Sequence, residues 1–131
     1  MVLAQNANCA KLPSTAEQAN CVNRELVATE NELKQTLKDA LAQYTLTGEQ
    51  SRETPAVGSS GRDQQIQWNQ RMRDDLNASQ QAWLKYRESA CGAVGDSYDG
   101  GTFAEVAVPL CRADMTRART KFLRTYFVNN R

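Results

Sequence analysis

Apolar residues recur at helical spacing along three long stretches of this chain. Two runs rich in glycine, proline and serine separate them. The first stretch runs from about Ser14 to Tyr44. There Val22, Leu26, Leu33, Leu37, Leu41 and Tyr44 share one face, and Glu, Lys, Asn and Gln fill the other. Ser14 and Glu17 have the spacing of a capping box, in which each side chain satisfies an orphan amide of the other. Thr47 to Gly61 holds Gly48, Pro55, Gly58 and Gly61 with little apolar content, and reads as a flexible, solvated connector. A second helix is expected from Arg62 or Asp63, capped by Ser60, to Gly92 or Gly95. Its stripe is Ile66, Met72, Leu76, Trp83, Ala90 and Val94. Thr102 and Glu105 repeat the capping-box spacing and open a third helix. The core face expected for it is Val108, Cys111, Met115, Ala118, Phe122 and Tyr126. Pro109 inside that pattern predicts a kink or a break.

No run alternates as a strand between hairpin turns. The expected architecture is all-α: an elongated antiparallel bundle of three long helices, the third kinked or split at Pro109. Each helix would measure on the order of 35 to 50 Å. One domain is expected over residues 1–131, with residues 1–13 as a leader pinned by Cys9 and residues 47–61 as the flexible loop.

Composition narrows the chemistry. The 131 residues include no histidine, which removes the commonest general base and metal ligand. Ser–His–Asp and Cys–His catalysis are excluded, and no enzyme activity, cofactor or metal is expected. A net charge of +1 is far from the basic balance that phosphate neutralisation requires, so nucleic acid is not an expected partner. No apolar run approaches the roughly 20 residues of a membrane span. The first residues lack the charged-then-apolar form of a signal peptide.

Four cysteines remain: Cys9, Cys21, Cys91 and Cys111. They contain no C-x-x-C pair, which favours two disulfides over a four-thiolate zinc site. Cys91 shortly before the end of the second helix comes level with Cys111, about two turns into the third. Cys9 precedes the first helix and can fold back to Cys21 inside it. The expected pairing is therefore Cys9–Cys21 and Cys91–Cys111, each contributing roughly 3 kcal/mol by the loop-entropy account. Two disulfides imply an oxidising compartment, periplasmic or secreted, with any signal peptide absent from this chain.

Several constellations have bland explanations. Asp96 and Asp99 beside Gly100 and Gly101 lack the oxygen spacing of a calcium loop, and read as a helix–helix turn. Tyr98 in that turn is the expected anchor for a protein partner, with Asp96, Asp99, Gly100 and Gly101 around it. Trp83 is expected in the core, with Arg87 and Arg119 as clamps to acids on neighbouring helices. Residues 1–111 carry 10 basic and 14 acidic side chains, a net of −4; residues 112–131 carry six and one, a net of +5. Such asymmetry would steer a cationic partner, or else dissolve into pairs between helices.

Leu76, Gln80, Trp83, Tyr86, Arg87, Cys91, Tyr98, Gly100, Gly101, Cys111, Thr116, Arg119 and Leu123 follow one another in a familiar order. The chain resembles DUF1311, the family named after the LprI lysozyme inhibitor, and Cys9, Cys21 and Leu33 also fit its first half. Glu88 stands where the family commonly has Asp, and Leu37 where it often has Tyr. The resemblance implies an exported bacterial helical domain. It implies a protein partner, lysozyme, inhibited by blocking its substrate cleft. The competing expectation is a structural or interaction protein of the cell envelope without inhibitory activity.

Overall fold

The computed structural model describes residues 8–46 and 59–129. Helix α1 spans Thr15–Ala42, α2 spans Ser59–Asp96 and α3 spans Ala104–Leu123, followed by a π-helical turn over Arg124–Val128. No strand occurs among the described residues. At 1.5 Å per residue the three helices measure about 42, 57 and 30 Å, so the bundle is elongated. The Ser60 side-chain cap, residues 47–58 of the expected flexible loop, and residues 1–7 of the leader lie outside the described residues. Helix α2 begins at Ser59, ahead of the expected Arg62.

The start of α1 follows the sequence pattern with one change. Ser14 is extended at φ −125° and its hydroxyl oxygen accepts from the Glu17 N–H at 3.1 Å. The Glu17 carboxylate accepts from the Ser14 hydroxyl at 3.0 Å, not from an amide. The far end of α1 is closed by α2. Arg73 donates to the Leu41 and Tyr44 carbonyls at 2.8 and 3.2 Å, and the Asn69 amide donates to the Thr45 carbonyl at 2.8 Å. The Leu41 carbonyl also accepts from the Tyr44 N–H at 3.0 Å, so side chains of another helix add to the closure of this end, and a cation sits at the negative end of the α1 dipole.

The ion pairs set the topology. Glu30 meets Arg87, while further along α1 the Leu41 carbonyl meets Arg73, so α1 and α2 are antiparallel. Cys91 meets Cys111 and Gln80 meets Arg119, so α2 and α3 are antiparallel as well. Glu25 meets Arg117 and Glu32 meets Arg124, seven residues on in both helices, so α1 and α3 run parallel in constant register.

Their seam has alternating steps of three and four. Ala19, Val22, Leu26, Thr29, Leu33, Thr36 and Ala40 are buried on α1. Val106, Pro109, Ala113, Thr116, Thr120 and Leu123 are buried on α3. This is a coiled-coil-like repeat built largely from small and β-branched residues, which let the backbones approach. It corrects the core face expected for α3. Phe122 is 43 % exposed and Tyr126 58 % exposed, and Ala118 is exposed; threonines and alanines lie inside instead. The inward threonines need no apolar substitute, because a helical hydroxyl can bond the preceding turn. Thr116 does so with the Arg112 carbonyl at 2.6 Å, and on α1 Thr29 does so with the Leu26 carbonyl at 2.8 Å.

Pro109 does not divide α3. It is buried six residues into an unbroken helix, and the Cys91–Cys111 disulfide lies just beyond it. The expected Thr102 side-chain cap is also absent: the N-cap is Phe103, with no side-chain cap bond. The chain enters α3 through short turns, in which the Ala104, Glu105 and Val106 amides donate to the Gly101, Thr102 and Phe103 carbonyls. Those carbonyls already satisfy the orphan amides.

Two disulfides join Cys9 to Cys21 and Cys91 to Cys111, with Cα–Cα distances of 5.5 and 5.6 Å. The core is divided. One apolar cluster gathers Cys9, Ala19, Val22 and Val106 at one end. Another gathers Leu33, Ala40, Tyr44, Leu76 and Leu123 at the other.

Candidate functional site

Between the clusters lies a polar belt built around Trp83. Arg87, only 7 % exposed, donates to Glu30 at 2.9 Å, to the Thr116 hydroxyl at 3.0 Å and to Glu88 at 3.0 Å. Arg119, 8 % exposed, donates to Gln80 at 3.0 Å and to Ser79 at 2.9 Å. The two guanidinium carbons lie 5.5 and 5.9 Å from the Trp83 ring centre, so the indole carries a cation from α2 and another from α3. Burial lowers the Arg119 pKa from the ordinary guanidinium value. Gln80, Trp83, Arg87 and Arg119 are therefore brought together, as parts that hold three helices in register. Arg119 meets an amide and a hydroxyl rather than the acid expected for it. Tyr86 is not part of the belt; it is 65 % exposed beside Met115 and Phe122.

The α2–α3 turn lies nine residues and more beyond Arg87, about 14 Å along the helix at 1.5 Å per residue. Helix α2 reaches Asp96, and the chain reverses through Asp99 at φ 48° and Gly100 at φ 80°. Glycine at 100 suits that left-handed geometry, while a short acidic side chain tolerates it at 99. Gly95 has a different task. A Cβ there would stand 2.8 Å from the Val108 methyl, so its absence lets α2 approach α3 at the start of the turn. The turn is consequently tight, fastened by the Cys91–Cys111 bridge one helical turn below.

It presents a defined surface. Tyr98 and Phe103 are both exposed and pack against each other at a tilt of 54°, with ring centres 5.6 Å apart. Asp96, Asp99 and Glu105 flank them and form no ion pair among the described residues. Elsewhere the charge asymmetry of the sequence is largely consumed internally. Arg112 pairs with Glu88, Arg117 with Glu25 and Asp114, and Arg124 with Glu32. Among the described residues, Asp96, Asp99 and Glu105 are thus left unneutralised where an aromatic pair projects, as are Glu17, Asp39, Asp63, Asp74 and Asp75 along α1 and α2. Phe103 falls inside the capping-box spacing of Thr102 and Glu105, which says nothing of its exposure. Its signal is an aromatic residue two positions beyond Gly101, at the exit of the turn.

Cys9, Cys21 and Glu25 place potential ligand atoms within 4.8 Å of one another. Both sulfurs are committed to a disulfide and are not thiolate donors. The Asp74 carboxylate accepts from the Gln70 amide at 2.8 Å and the Glu30 carboxylate from Arg87 at 2.9 Å. Among the described residues no helix is long and apolar enough to cross a membrane.

A family model described as Lysozyme inhibitor LprI matches residues 6–123. An uncharacterized protein of Rhizobium meliloti (strain 1021) is 25 % identical over 117 residues, covering 89 % of this chain and 76 % of the relative. No solved structure matches.

Proposed function

From a chain that belongs to the lysozyme inhibitor LprI family, we propose a non-enzymatic, exported binding protein that obstructs the substrate cleft of a lysozyme with its α2–α3 turn. The observation that carries this reading is the exposed Tyr98–Phe103 pair flanked by Asp96, Asp99 and Glu105. A cleft is blocked by a convex element, and this turn is convex and braced by a disulfide. Aromatic side chains supply most interface energy where they are rigid and desolvated on binding. Unpaired acids beside them attract a cationic enzyme, chiefly by raising the on-rate. The two disulfides support the exported part of this reading, since such bonds persist in oxidising compartments such as the periplasm or the exterior.

The test is inhibition of cell-wall lysis by several lysozyme classes, with increasing amounts of the purified protein. Stoichiometric inhibition that weakens as salt rises is expected. Tyr98→Ala with Phe103→Ala should weaken it at least about a hundredfold, the scale of two hot-spot truncations. Full enzyme activity in the presence of excess protein, for every class, sinks the reading. The competing reading, an envelope interaction protein without inhibitory activity, draws on the separate exposed face of Tyr86, Phe122 and Tyr126. Recovery of a defined envelope protein and no lysozyme from periplasmic extract would favour it.

A further inference from the structure

Helix α3 packs closely on both other helices, whereas α1 and α2 meet chiefly through side chains. An open groove results between α1 and α2. Two adjoining hollows of about 480 and 400 Å³ form it, and both are lined by Lys34 and Leu37. From Val27 to Ala42 the groove follows α1 for about 22 Å at 1.5 Å per residue, the length of a four-turn helix. Its floor is apolar: Leu33, Leu37, Leu41 and Trp83, with Val27 and Leu84 exposed at the margins. The Arg87–Glu30 pair and the Arg73 contacts to the Leu41 and Tyr44 carbonyls brace the two walls along its length. The groove is therefore held open before anything enters it, which limits the ordering cost of binding.

Its rim is basic. Lys34 and Lys38 make no ion pair among the described residues. Glu30 is the one acid among the lining residues described, and Arg87 neutralises it at 2.9 Å. The other acids of this part of α1 fall on a different face. Glu25, Glu32 and Asp39 are spaced by seven, and the first two pair with α3.

We propose that the α1/α2 groove is a docking site for an amphipathic helix bearing acidic side chains beside its apolar stripe. An incoming helix would set anchors at i, i+3, i+4 and i+7 onto the leucine floor and its carboxylates against Lys34 and Lys38. This charge preference is opposite to that of the α2–α3 turn, so the two surfaces select different partners.

The experiment uses the full chain with Trp68→Phe, which leaves Trp83 as the sole indole. The probes are two synthetic amphipathic peptides of four turns with one leucine face, flanked by glutamate in one and lysine in the other. Saturable change of Trp83 emission with the acidic peptide is expected, with binding at least about tenfold weaker for the basic one. Lys34→Glu with Lys38→Glu, at exposed positions, should reverse that preference while leaving lysozyme inhibition unchanged. Leu84→Ser should weaken both peptides. Equal affinity for the two peptides, or no response to either, overturns the proposal. So does a response confined to anionic phosphatidylglycerol vesicles, or one traced by sedimentation to self-association of the chain.

Discussion

At the scale of single residues, two pairs of chemically identical substitutions separate packing from propensity. Gly92 has nothing within 4 Å of a built Cβ, whereas Gly95 has the Val108 methyl at 2.8 Å. Both lie in α2. Gly92→Ala should stabilise by about 0.5–1 kcal/mol through helix propensity. Gly95→Ala should destabilise by roughly 1–2 kcal/mol, because a β-branched neighbour must shift. Urea denaturation of the two variants decides; equal effects would mean that the helices do not approach there. Thr116 and Thr120 form the second pair. Both are buried, but Thr116 accepts from Arg87 while the Thr120 hydroxyl has no partner among the described residues. Thr116→Val should cost about 1–2 kcal/mol, and Thr120→Val should be neutral or mildly stabilising. Both comparisons use midpoints at constant m-value.

At the scale of elements, the α2–α3 hairpin is the unit on which the proposed site depends. Its disulfide spans 20 residues of sequence, and removing that cross-link should cost roughly 3 kcal/mol by the loop-entropy account. Cys91→Ser with Cys111→Ser should therefore lower the melting temperature markedly while the far-UV helix signal persists at low temperature. Inhibition by the variant should weaken even where it remains folded, since the turn loses its brace. The same hairpin shows how far periodicity carries. Met115, Ala118, Phe122 and Tyr126 form a genuine helical stripe, yet Met115 is only half-buried and the other three are exposed. Hydrophobicity marks which residues share a face; it does not say which of two faces packs. The inward face was written in the alternating three–four spacing of Val106, Pro109, Ala113, Thr116, Thr120 and Leu123, a signal of small size rather than of hydrophobicity. The end of α1 was illegible for another reason, since Arg73 and Asn69 belong to a different helix.

At the scale of the whole molecule, a narrow bundle must be stabilised by register as much as by apolar volume. A polar belt of two buried arginines separates its two apolar clusters. Arg119 is ionised at neutral pH even though burial lowers its pKa from the ordinary guanidinium value. Folded and unfolded states then bind that proton equally at neutral pH. The burial cost is present throughout and is relieved only as pH rises through the lowered value. With no histidine in the chain, no side chain of ordinary pKa titrates between about pH 6 and 8. The melting temperature should vary by less than about 2 °C across that window. Differential scanning calorimetry at several pH values tests this, and a steep slope would point to a strongly displaced group elsewhere.

What followed from sequence alone was everything that depends on neighbours along the chain. The three helices, the Ser14 cap, the reversal after Asp96 and the absence of histidine chemistry were all local facts. The family was legible from the order of Trp83, Tyr86, Arg87 and the later cysteine, glycine and arginine positions, because each occupies a fixed step on a helix or turn. Tertiary structure alone decided which face of α3 turned inward, that Arg119 met Gln80 and Ser79, and that Arg112, Arg117 and Arg124 entered ion pairs with α1 and α2. It also set Phe103 beside Tyr98 and opened the groove between α1 and α2. These outcomes depend on distances between helices and on competition among partners remote in the chain, and periodicity within one helix contains no term for either.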